Sequence, residues 1–75
     1  MAEDFEMIPV TSSQIAACGY SASTRQIKIQ FAKNGAEYLY DECSQDEFDN
    51  LVAAPSVGQF FGFNIKNVKP YRRIG

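Results

Sequence analysis

The strongest signal along the chain is an alternation. Residues 25–31 place Ile27, Ile29 and Phe31 on one side and Gln26, Lys28 and Gln30 on the other, the period of two that marks a strand with one buried face. Residues 15–20 are apolar and β-compatible, and they run into the polar turn Ser21-Ala22-Ser23-Thr24. Asn34-Gly35 then separates the alternating strand from a third over residues 36–41. That dipeptide suits a two-residue type I′ turn, which needs positive φ at both central positions. The pattern predicts a three-stranded antiparallel meander.

After Cys43 the period changes. Ser44-Gln45-Asp46-Glu47 is a capping box, in which the serine oxygen accepts from the Glu47 amide and the Glu47 carboxylate accepts from the Ser44 amide. Phe48, Leu51 and Val52 then share one helical face, and Ala54-Pro55 ends the helix because a residue before proline is disfavoured in the α region. Ser56-Val57-Gly58-Gln59 repeats the capping pattern, and Val57, Phe60, Phe61 and Ile65 form a second stripe. Gly58 and Gly62 each weaken that helix by roughly 1 kcal/mol relative to alanine, so packing must hold it or the glycines admit another backbone. Pro9 discourages a long element before residue 12. The expected arrangement is an acidic lead-in over residues 1–11 with a mobile start, then a single α+β domain over residues 12–75. In that domain a three-stranded meander is followed by two short helices and an extended basic C-terminal segment.

Size and composition change the picture at three points. A chain of 75 residues buries only about 60% of its unfolded surface, but six Phe and four Tyr supply a core without metals or disulfides. No apolar run approaches the roughly 20 residues that span a bilayer, and the opening residues lack a basic export signal; a cytoplasmic location is expected. Cys18 and Cys43 are widely spaced and the chain has no histidine, which leaves no zinc-site or Cys-His pattern. Both thiols are expected to be reduced, with Cys18 packed as a small hydrophobe and Cys43 the more exposed candidate, though burial is preferred for both. Without histidine or a carboxylate pair in an apolar setting, and with serines only at turns and caps, no acid–base or nucleophile assembly is expected. The domain is therefore read as non-catalytic, without cofactor or metal.

The order of residues resembles the KTSC domain, a short bacterial and phage module found alone and at the C-terminus of some lysyl-tRNA synthetases. The resemblance covers residues 10–75. It rests on Ser12-Ser13, Ile15 and Gly19-Tyr20, then Tyr38-Leu39-Tyr40 as a Tyr-x-Tyr element, then residues 54–56, Gly58, Phe60-Phe61, Ile65-Lys66 and Pro70-Tyr71-x-x-Ile74. Between Phe31 and Tyr38 the chain carries one residue more than the usual pattern, which bears on the hairpin register. Attachment to a tRNA synthetase implies an RNA-binding role by association.

Two constellations are candidates for binding. If Asn34-Gly35 is a two-residue loop, Phe31 faces Tyr38 and Ile29 faces Tyr40, and both tyrosines are core, with their hydroxyls reaching the rim. A three-residue loop instead sets Gln30 against Tyr38 and Lys28 against Tyr40, on the polar face, where the rings form a stacking platform beside a cation. The second constellation is Lys66, Lys69, Tyr71, Arg72 and Arg73, cations interleaved with an aromatic. The net charge of −2 hides a partition: all nine acids lie in residues 1–49 with only Arg25, Lys28 and Lys33, whereas residues 50–75 hold four cations and no acid. A local basic patch follows despite the acidic total. The candidate nucleic-acid-binding residues are thus Lys28, Tyr38, Tyr40, Lys66, Lys69, Tyr71, Arg72 and Arg73, for RNA or another single-stranded nucleic acid. Ser12 and Ser13 are candidate hydroxyl donors, although such serines more often turn or cap the chain. The alternative is a protein-interaction module or phage-encoded inhibitor that engages a basic partner through Asp41, Glu42, Asp46, Glu47 and Asp49. A membrane partner is not expected.

Overall fold

The computed structural model describes residues 5–66 and 68–75. The first four residues of the lead-in expected to be mobile, residues 1–11, lie outside them. The sheet has five antiparallel strands: β1 (Ile8–Pro9), β2 (Ile15–Ser21), β3 (Gln26–Phe31), β4 (Glu37–Tyr40) and β5 (Tyr71–Arg73), in that spatial order. Three strands were expected, and two short edge strands complete the sheet. Ile8 pairs with Cys18 at one edge. At the other the segment expected to be merely extended pairs with β4, Tyr71 against Tyr40 and Arg73 against Tyr38.

The second hairpin loop is longer than the two- or three-residue loop expected at Asn34-Gly35, and the polar turn after β2 has the same form. Residues 22–25 and 32–35 each close a four-residue loop in which the last residue donates its amide to the strand carbonyl four back: Arg25 to Ser21 at 2.7 Å and Gly35 to Phe31 at 2.9 Å. That last residue takes positive φ, 57° at Arg25 and 73° at Gly35. Asn34 stays outside the left-handed region and its Oδ1 accepts from the Ala36 amide at 3.0 Å. The β3–β4 register is therefore Ile29 with Tyr38 and Ile27 with Tyr40, which is neither of the two pairings that the sequence allowed. It is displaced by two residues from the two-residue-loop pairing. Side chains alternate with a period of two, so the displacement leaves both tyrosines on the face of Ile27 and Ile29.

The strands present one face to the helices. A bulge in β2 between Ile15 and Ala17 lets Ile15 and Cys18, three residues apart, both be fully buried on that face. α1 (Gln45–Ala53) starts at Ser44 with both halves of the capping box formed, Glu47 N to Ser44 Oγ at 3.1 Å and Ser44 N to Glu47 Oε1 at 2.8 Å. α2 (Val57–Phe61) is capped by Ser56, whose Oγ accepts from the Gln59 amide at 3.4 Å. It continues into a π-helical turn, Gly62–Lys66. Phe48, Leu51, Val57, Phe61 and Ile65 close over Ile15, Cys18, Ile27, Ile29, Tyr40 and Cys43. Both cysteines are free and fully buried. On the opposite face the chain before β1 crosses Gly19, where a Cβ would stand 2.9 Å from Met7 Sδ and 3.0 Å from the Glu6 carbonyl oxygen. No helix among the described residues is long and apolar enough to cross a membrane.

Candidate functional site

The helices close over β2, β3 and Tyr40 of β4, and leave Tyr38 half-buried and Tyr71 of β5 exposed at the edge of the same face. Alternation along β4 brings Tyr38 and Tyr40 to this face, and the pairing of β5 adds Tyr71 beside them. The Tyr40 and Tyr71 rings lie 5.5 Å apart at 29°, Tyr38 and Tyr40 6.4 Å apart at 27°, and Tyr38 and Tyr71 5.9 Å apart at 44°. Behind them Phe61 meets Tyr40 edge-on at 5.2 Å and Phe31 meets Tyr38 edge-on at 5.4 Å. The cluster grades from core to surface: Tyr40 is 2% exposed and Tyr71 59%.

These rings floor a groove of about 520 Å³ whose walls include Gln14, Lys33, Asn34 and Lys66. Lys33 comes from the β3–β4 loop and Lys66 from the end of the π-helical turn. Both lysines are exposed, and among the described residues neither forms an ion pair. Among the described residues no carboxylate lines the groove. Burial, reinforced by the neighbouring phenols of Tyr38 and Tyr71, pushes the Tyr40 hydroxyl up to about 12, so at neutral pH it is a neutral donor. Among the described residues it has no hydrogen-bond partner, and no buried polar side-chain atom is left unpaired; the ring is buried while the hydroxyl opens to the groove.

Of the eight residues proposed from sequence, the fold gathers Tyr38, Tyr40, Tyr71 and Lys66 at the groove. Arg73 shares their face, opposite Tyr38 in the register, with its Nε donating to the Gly75 carbonyl at 3.0 Å. Arg72 pairs with Leu39 and so points to the other face. Lys28 is on that other face too, in an ion pair with Glu37 at 3.4 Å and 5.7 Å above the Phe5 ring. Lys69 is held in place, with Nζ 2.9 Å from Glu47 Oε2 and 2.7 Å from the Glu42 carbonyl. The basic segment that reads as one cluster in sequence is thus divided among two faces and an internal ion pair. Ser12 serves its turn, its Oγ accepting from the Gln14 and Ile15 amides, while Ser13 borders the groove.

Three of the five acids are similarly engaged. Asp41 Oδ1 accepts from Gln26 Nε2 at 2.6 Å and Asp49 from Gln45 at 3.0 Å. The Ser44 amide, with the Lys69 ammonium, holds the Glu47 carboxyl below its usual range. Lys33, Gln14 and Asn34 were missed as site residues because they carry no binding motif, Asn34 reading only as part of a turn; the loop geometry brings them to the tyrosines.

Three comparisons bear on this arrangement. The KTSC domain family model matches residues 11–71. A protein from Tsukamurella paurometabola is 42% identical over 60 residues, 80% of this chain and 88% of that relative. The crystal structure of a KTSC domain protein from Yersinia pestis superposes with a TM-score of 0.90 at 35% identity, covering 96% of this chain and all of that one.

Proposed function

The chain belongs to the KTSC domain family, and from that premise we propose that it is a non-catalytic module that binds RNA or another single-stranded nucleic acid on its tyrosine groove. The observation that carries this reading is the grouping of three tyrosine rings on one face, with Lys33 and Lys66 at the rim and no acid in the lining among the described residues. Unstacked bases lie on such rings at about 1 to 3 kcal/mol each whatever their identity, because every base has a π-face. The cations attract the backbone, with Arg73 alongside on the same face. A duplex offers no free base faces to a recessed floor, so single strands are favoured over duplex.

The test is a titration of the protein with a single-stranded RNA and a duplex DNA at two salt concentrations. Single strands are expected to bind weakly, with little sequence preference and with affinity falling as salt rises. Absence of binding to any nucleic acid at low salt removes the reading. The acidic-face alternative draws less support, since Asp41, Glu47 and Asp49 already have partners within the domain.

A further inference from the structure

The shape and charge of the groove restrict what part of a strand it takes. Single-strand binders that follow a backbone use a continuous basic track, with site sizes of about 4 to 16 nucleotides per domain in sheet-barrel folds. This molecule has no such track among its described residues. Lys28 and Arg72 are on the far face of the sheet, and Lys69 is neutralised by Glu47. Two cations line the groove itself, Lys33 and Lys66, from separate elements on its rim; Arg73, cross-strand from Tyr38 on the same face, lies outside the lining with its Nε donating to the Gly75 carbonyl. Its volume of about 520 Å³ falls in the range of about 300 to 1,000 Å³ that encloses one small organic ligand. Amide side chains, Gln14 and Asn34, are in the wall; Gln14 presents a donor and an acceptor and Asn34 its amide N–H groups, its oxygen being engaged by the Ala36 amide, and such groups read the polar edge of a base.

We infer that the groove takes a single unstacked nucleotide, its base on Tyr71 and Tyr38 and its phosphate at Lys33 and Lys66, so that one nucleoside monophosphate unit is the whole recognised element. This rests on the nucleic-acid reading above and narrows it. The unit has two possible sources, a free nucleotide or a nucleotide within a strand, and they are separable by experiment.

The 75-residue chain is titrated with adenosine and uridine 5′-monophosphates, with the corresponding nucleosides, with inorganic phosphate and with a 12-nucleotide oligouridylate. The monophosphates are expected to bind within about tenfold of the 12-mer, while the nucleosides and phosphate each bind more weakly. The log–log salt slope of the 12-mer should lie near −1.4, the value for about two phosphate contacts on a single strand, and not near the −5 or so that all seven cations would give. Tyr71→Ala should weaken the monophosphates at least about fivefold, the low end for one stacked base. Lys66→Ala should bring their affinity down toward that of the nucleosides. Arg72→Ala and Lys28→Ala, on the far face, should leave binding unchanged; Arg72 and Tyr71 are exposed on the edge strand and Lys28 is half-buried on the central strand beside Glu37, and a circular-dichroism melt checks that each variant folds. Binding of the 12-mer without measurable binding of either monophosphate overturns the inference but keeps the nucleic-acid reading. So does a loss with Arg72→Ala or Lys28→Ala as large as with Lys66→Ala, because the strand must then wrap the sheet edge. If neither the 12-mer nor the monophosphates bind, both fall. Binding of the monophosphates alone keeps the inference and identifies the free nucleotide as the source.

Discussion

Tyr40 shows how one side chain serves core and surface with its two ends. Its ring is enclosed by Phe61, Tyr38 and Tyr71, and its hydroxyl lies at the groove floor without a protein partner among the described residues. Replacing Tyr40 by alanine should cost about 3 to 5 kcal/mol, as large aromatic truncations in cores do, and urea denaturation measures it. Tyr40→Phe keeps the ring and removes a hydroxyl that no protein atom satisfies, so its stability should change by less than about 1 kcal/mol. A loss of several kcal/mol in the phenylalanine variant would mean that the hydroxyl has a structural partner.

The helical segment from Val57 to Lys66 shows what two glycines do at the level of an element. Gly58 lies where α2 meets the turn before β2: a Cβ there would be 3.3 Å from Ser12 Oγ and 3.4 Å from the Gln14 side chain. Gly62 sits in ordinary helical backbone, φ −61° and ψ −39°, with open space where its Cβ would go. Gly62→Ala should therefore stabilise the domain by about 0.5 to 1 kcal/mol, chiefly by restricting the unfolded chain. Gly58→Ala should gain less or lose, because Ser12 and Gln14 must shift. Paired denaturation curves decide it, and equal effects at the two positions would contradict the packing described. The π-helical turn beyond Gly62 keeps Ile65 in the core and delivers Lys66 to the groove. Such turns recur at functional sites.

Across the whole molecule the acidic and basic halves of the sequence meet through Lys69 and Glu47, and the remaining charge is dispersed over both faces. Titration instead concerns buried neutral groups. Burial pushes the Cys18 and Cys43 thiols from about 9 up to about 11, and the Tyr40 phenol from about 10 up to about 12. In the unfolded chain these groups lose their protons first, so between about pH 9 and pH 12 the unfolded state binds fewer protons and stability falls as pH rises. The contribution is fully present below about pH 9, and each group can remove at most about 1.4 kcal/mol per pH unit within its own window. Urea midpoints at pH 8, 9.5 and 10.5 should decline in that order, and Tyr40→Phe should flatten the decline above pH 10. A flat profile would mean that the three groups are hydrated in the native state.

What the sequence determined by itself was local. The strand alternation, the capping box at Ser44, the helix stop at Ala54-Pro55 and the family motif were all legible because neighbours within a few residues supply the physics. The side taken by Tyr38 and Tyr40 is one of the two that the sequence left open, that of the two-residue-loop pairing, and a slip of two residues preserves it. The register itself was not legible, because Asn34-Gly35 serves two-residue and longer loops alike, and the loop taken is the one that lets β3 and β4 pair in step with the core. The pairing of β5 with β4 joins residues more than thirty positions apart, and no local pattern encodes it. That pairing alone decided that Arg72 and Arg73 lie on opposite faces, that Tyr71 joins the other two rings, and that a basic tail in sequence becomes the edge of an aromatic groove. Strand pairing at that separation is set by the burial and hydrogen bonding of the assembled sheet, which exist only once the tertiary structure has formed.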